Sequence, residues 1–139
     1  MIDGADNTKS VLTLGGIAAV AVLCVSLPVL AQGQGLAMLG TLTKGEWTIK
    51  QRGVTTDRKI CVKSGTDLVQ LMHRDGECSQ FVVEDGSVRV TVQYTCPGNG
   101  YGRTSIRRET SALVQLESQG IHDGMPFQMT AEARRTGSC

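Results

Sequence analysis

The sequence predicts a mainly β protein with a minor helical part. The expected form is a curved antiparallel meander of about seven strands, partly closed, with one short helix packed on it and two disulfides. Three observations predict it. Segments alternating apolar and polar residues recur between turn signals rich in Gly, Asn, Asp and Pro, and the chain carries 17 Gly. One stretch, Ser64 to Gly76, has a helical rhythm instead. Four cysteines, Cys61, Cys78, Cys96 and Cys139, fall within the alternating part, which in a short exported chain reads as two disulfides.

The chain has 139 residues and a formal net charge of +1. That length suits one domain, and so balanced a charge gives no argument for nucleic acid. The first part is different in kind. Val11 to Leu30 carries no charge, Lys9 precedes it, and Val29-Leu30-Ala31 fits a signal-peptidase site. Asp3 and Asp6 make the start less positive than most leaders, and an apolar run of this length also spans a bilayer. Residues 1–31 therefore read as a signal peptide or an N-terminal membrane anchor. Cys24 follows Leu23, where a lipobox wants a small residue. Residues 32–43 read as a flexible tether, and residues 44–139 as a single disulfide-stapled β domain. The expected location is the periplasm, with an inner membrane anchored form through residues 11–30 as the alternative.

Gly45 to Lys50 opens the domain as a strand with Trp47 and Ile49 on one face. After a loop at Gly53 to Asp57, Ile60 and Val62 point inward and Cys61 outward. Ser64 and Asp67 have the spacing of a capping box. Leu68, Leu71 and Met72 then form one helical stripe ending at Gly76. Phe81 to Cys96 reads as a hairpin turning on Asp85-Gly86. This register sets Val83 against Val88 and Phe81 against Val90, on the inner side. Cys78 then faces outward and Cys96 inward, so a bridge between them is disfavoured. Cys96 to Gly100 is a turn cluster. The returning segment, Tyr101 to Thr110, has Ile106 as its one aliphatic residue and reads as a less buried edge. Leu113 to Ser118 follows, with Val114 and Leu116 inward. After a turn at Gly120 to Gly124, Pro126 to Arg135 closes the sheet with Phe127, Met129, Ala131 and Ala133 on one face. Cys139 shares their parity if Gly137 does not break the alternation. The expected pairing is therefore Cys61–Cys78 and Cys96–Cys139.

The sequence offers little chemistry. There is no nucleophile elbow and no Gly-rich phosphate loop. His73 reads as a surface residue capping the helix end, and His122-Asp123 as an exposed loop pair. The cysteines lack the paired spacing of a zinc site. No catalytic residue, metal or cofactor is assigned, and an enzyme is not expected. Arg103, Arg107, Arg108, Arg134 and Arg135 lie on segments that a sheet could bring together. They form a candidate patch for an anionic ligand such as phosphate, anionic lipid or acidic polysaccharide. Interleaved Glu109, Glu117 and Glu132 fit an ordinary solvated face equally well.

Several of these residues also fall in a recognisable frame. It comprises Gly45 and Trp47, Cys61 before the helix and Cys78 after it, Tyr94-x-Cys96-x-Gly98, and the closing Arg135-x-Gly137-x-Cys139. The frame resembles the DUF3617 family, a domain of unknown function in small exported proteins of Gram-negative bacteria. The resemblance covers roughly Lys44 to Cys139 and implies an envelope location without an activity. Gly45-x-Trp47 with a last-strand Arg is also similar to the closure of lipocalins, which makes Trp47 and Tyr94 candidate cavity or closure residues. The expected function is a non-catalytic envelope domain binding a partner or surface component, either an envelope protein or a lipid. The alternative is a carrier of a small apolar or lipid ligand inside a curved sheet. Membrane contact is expected only through a retained leader.

Overall fold

The computed structural model describes residues 35–139. The expected leader and residues 32–34 of the expected tether lie outside them. A short helix, α1 (Ala37–Gly40), leads into β1 (Gly45–Gln51) and β2 (Arg58–Val62). A 3₁₀ turn (Gly65–Leu68) follows, then β3 (Ser79–Asp85), β4 (Arg89–Cys96), β5 (Gly100–Thr110), β6 (Leu113–His122) and β7 (Met125–Gly137). The strands form one seven-stranded sheet in the order β2-β1-β7-β6-β5-β4-β3. Every neighbouring pair is antiparallel. β3 to β7 form the expected meander, and β7 then pairs with β1. The sheet does not close into a barrel: β2 and β3 remain as edges.

Alternation sorts the strands onto two faces. Trp47, Ile49, Ile60, Val62, Ile106 and Leu116 are among the fully buried residues of one face. Leu36, Met38, Leu39 and Leu42 cover that face together with Leu68, Val69 and Leu71 from the 3₁₀ region. Residues 36–42 thus belong to the core, and the expected tether is corrected to that extent. Burying four large apolar side chains contributes roughly 1.5–3 kcal/mol each, enough to order a short segment.

The helix expected after Ser64 is also corrected. The capping box forms: Asp67 accepts from the Ser64 backbone N–H at 3.0 Å, and the Ser64 hydroxyl accepts from Thr66 N–H at 3.4 Å. Regular 3₁₀ geometry nevertheless ends at Leu68. Beyond it Gln70 donates to the carbonyls of His73 and Gly76, at 3.2 and 3.1 Å. Side-chain bonds to the backbone replace those of a helix, and the chain turns instead of winding on.

The central hairpin has another register. Ser79 pairs with Thr95 and Val82 with Val92; a bulge then shifts the pairing so that Asp85 meets Val90. The connection runs through Gly86 to Arg89, closed by Gly86 N–H to the Arg89 carbonyl at 2.9 Å, not through a two-residue Asp-Gly turn. Below the bulge the offset from the expected pairing is three residues. An odd slip exchanges the faces of a strand. Phe81 and Val83 therefore lie outside, 70% and 42% exposed, while Val90 and Val92 remain buried.

That slip decides the disulfides. Continuing the ladder from Ser79–Thr95 sets Cys78 directly opposite Cys96, and these two form one bridge with Cα atoms 4.2 Å apart. The other joins Cys61 to Cys139. The expected pairs, Cys61–Cys78 and Cys96–Cys139, are both overturned. At the carboxyl end, Trp47 pairs with Arg135 but Glu46 with Gly137. This bulge breaks the alternation at Gly137 and turns Cys139 to the outer side, where Cys61 already points.

β5, expected at an edge, runs inside the sheet between β4 and β6. Its inward residues Gly102, Thr104 and Ile106 are buried. Gly102 is required there because a Cβ would overlap the Tyr94 ring. The β6–β7 hairpin turns on Asp123 and Gly124, with φ of 50° and 75°, the left-handed pair that a two-residue hairpin loop favours.

Candidate functional site

The face opposite the core is polar and open. β4 to β7 build it from the residues that alternation leaves outside. Gln93, Arg103, Gln119 and Gln128 stand in one row across the four strands. Two residues along, Thr91, Ser105, Glu117 and Thr130 form the next. Arg89, Arg107, Gln115 and Glu132 form a third. Shallow depressions lie over these rows. One of about 310 Å³ is bordered by Arg103, Ser105, Glu117, Gln119, Gln128 and Thr130. A second of about 210 Å³ is bordered by Arg52, Arg89, Ser105, Arg107, Gln115 and Glu117. They share Ser105 and Glu117 as a common wall, so they read as one trough along the strands. A further depression beside Gln93, Tyr101 and Phe127 extends it.

The trough concentrates positive charge. Arg89 and Arg107 are direct cross-strand partners, a like-charge placement that disfavours folding. Arg52 joins them because its backbone N–H is tied to the Thr130 carbonyl at 2.8 Å. Arg107 donates to Glu109 at 2.9 Å. Arg103 lies two rows farther along. These groups are exposed and can hold carboxylate, phosphate or sulfate oxygens through paired N–H donors.

The five-arginine patch expected from the sequence does not assemble. Arg103 and Arg107 share the trough. Arg134 is tied to Glu132 at 3.3 Å and pairs with Leu113 and Thr48, away from the trough's arginines. Arg108 is half-buried, donating to the Thr41 hydroxyl at 3.1 Å and the Ser87 carbonyl at 3.3 Å. Arg135 donates to the Lys44 carbonyl at 2.7 Å. Arg52 and Arg89 take their places. Arg89 was findable: continuing the β4–β5 hairpin back from its turn pairs it with Arg107.

Trp47 and Tyr94 line no open cavity; both are fully buried core residues. Trp47 donates from Nε1 to the Thr43 carbonyl at 2.9 Å. It lies opposite Arg135 as the closure motif suggested, but in an open sheet. Tyr94 is a polar junction. Its hydroxyl meets His73 Nδ1 at 3.2 Å. Burial pushes the phenol's pKa up, and hydrogen bonds from Ser118 and Thr104 oppose that shift.

His73 is the residue the sequence placed least well. It is 2% exposed, at the centre of the packing, not on the surface. Its Nε2 lies 3.0 Å from the Asn99 carbonyl and 3.1 Å from that of Ile121. Two carbonyl acceptors require a proton on Nε2, while Nδ1 shares a hydrogen bond with the Tyr94 hydroxyl. The ring packs edge-on against His122, with centroids 4.8 Å apart. His73 thereby ties the 3₁₀ region to β4, to the β4–β5 turn and to β6. His122 ends β6, and its Nδ1 lies 3.7 Å from the Asp123 carboxylate, so the adjacent pair does converge. Among the described residues, no three His, Cys, Asp or Glu side chains gather as a metal site needs.

The two disulfides suit an oxidising compartment. No helix among the described residues is long and apolar enough to cross a membrane. Compared with protein families, with curated proteins and with solved structures, the chain finds no match.

Proposed function

We propose that this is an exported, non-catalytic binding domain of the periplasm that presents the polar face of its sheet to an envelope component. The observation that carries this reading is the trough over β4 to β7, where cationic, amide and hydroxyl side chains converge on an open surface. The opposite face is covered by the protein's own Leu36, Leu39, Leu68 and Leu71, which leaves the polar face free for a partner. Kinship with the DUF3617 family belongs to the same proposal. It is supported by the closing of all four cysteines within one domain.

Site-directed photo-crosslinking in Gram-negative cells tests the reading. A photoreactive residue at Gln119 or Gln128, in the trough, should give a discrete adduct in the envelope fraction. The same residue at Val54 or Lys63, outside the trough, should not. Equal labelling from both sets, or none from the trough, contradicts it. Release of the protein by osmotic shock separates a periplasmic form from one anchored by residues 11–30.

A further inference from the structure

We propose that the trough takes an extended acidic polysaccharide, with a uronate-type carboxylate seated between Arg89 and Arg107. The inference rests on the binding function proposed above and names its ligand class. Three features carry it. The first is the facing of Arg89 and Arg107 across β4 and β5, with Arg52 at the same depression. Two arginines at directly paired positions are relieved by an anion that bonds to both. Glu117 shares that depression and Glu109 is bonded to Arg107, so arginine exceeds carboxylate locally by only a small margin. Such a site suits an isolated anionic group every sugar or two better than a dense polyanion.

The second feature is what separates the cations. Between Arg103 and the Arg89–Arg107 pair lies the row of Thr91, Ser105, Glu117 and Thr130, and Gln119 and Gln128 stand beside Arg103 in its own row. Hydroxyls and amides both donate and accept, which is the pairing that sugar hydroxyls need. Arg103 and Arg107 are four residues apart on β5, about 13 Å along a strand, so an occupant touching both must be a chain. Tyr101, half exposed, borders the far end, offering a flat apolar surface to a ring. The third feature is the floor. The backbone groups of β5 and β6 are engaged in ladders on both sides. An extended peptide draws its affinity from free backbone groups at a sheet edge, and this floor has none to offer.

The test is calorimetry on the full chain as exported by cells, at low ionic strength, with oligogalacturonate as the probe. Dextran oligosaccharide serves as the neutral comparison and oligoglutamate as the peptide comparison. Oligogalacturonate should bind, and Arg89→Gln and Arg107→Gln should each weaken it by about tenfold or more. Gln119→Ala should weaken it by about threefold, and added salt should weaken it further. Dextran should bind far more weakly. Each variant's thermal midpoint shows that it remains folded. The inference is overturned if oligogalacturonate does not bind, if Arg89→Gln binds as the parent does, or if oligoglutamate binds equally well. Crosslinks from Gln119 in cells combined with no uronate binding would overturn this ligand class alone. Absence of those crosslinks would remove the binding face itself.

Discussion

Across β4 to β7, Val92, Thr104, Ser118 and Met129 stand in one row, and one step along each strand Gln93, Arg103, Gln119 and Gln128 stand in the next. The first four are between 0% and 5% exposed; the second four are all exposed. The same backbone ladder carries both rows. A single residue of register therefore separates core from candidate binding surface, and stability and binding should respond to different substitutions on the same strand.

The largest effect expected is on the bridge that fastens the sheet's outer side. Replacing Cys61 and Cys139 together by Ser opens a 78-residue loop and should cost about 4.5 kcal/mol. The same change at Cys78 and Cys96 opens an 18-residue loop and should cost about 3 kcal/mol. Chemical denaturation of the two double variants checks the order. A comparison of neighbours on β6 is sharper. Leu116→Ala, in the core, should cost about 3 kcal/mol, and Gln115→Ala, on the open face, less than about 0.5 kcal/mol. Equal losses would mean that the polar face is also packed.

His73→Phe keeps a ring in the interior but leaves the Tyr94 hydroxyl and the Asn99 and Ile121 carbonyls without their partner. A cost of about 2 kcal/mol is expected, with weakened hydrogen-exchange protection where β6 meets the β4–β5 turn. The smallest effect concerns Tyr94. Its folded pKa lies above the ordinary value of 10.0, so above that pH the unfolded chain releases the proton first. Stability should then fall as pH rises past about 10. Denaturation midpoints across that range should decline, and Tyr94→Phe should remove this part of the decline.

Much of this architecture can be read from alternation alone. The faces of β1, β2, β6 and β7 follow from Trp47, Ile60, Leu116 and Met129 without any knowledge of neighbours. The failures have one physical source. Asp85-Gly86 and Asp123-Gly124 are the same dipeptide between apolar runs, yet only the second takes the left-handed pair of a tight hairpin. At the first, the register that sets Cys78 opposite Cys96 prevails, and local turn preference cannot report a covalent contact made elsewhere. β5 looked peripheral because Ile106 is its one aliphatic residue; inward Gly102 is small to admit the Tyr94 ring. His73 looked like a surface cap because its partners, Tyr94, Asn99 and Ile121, are far away in sequence. The arginine site was half legible. Arg103 and Arg107 alternate outward on one strand, but Arg52 comes from a loop that only the β1–β7 ladder brings near.

The assignment of residues to the two faces is tested most directly by mapping the disulfides of the unreduced protein by peptide mass spectrometry. Linked peptides joining Cys61 to Cys139 and Cys78 to Cys96 are the result this account predicts. A peptide joining Cys61 to Cys78, or Cys96 to Cys139, would contradict it, because β3 and the end of β7 would then present the opposite side chains to the core.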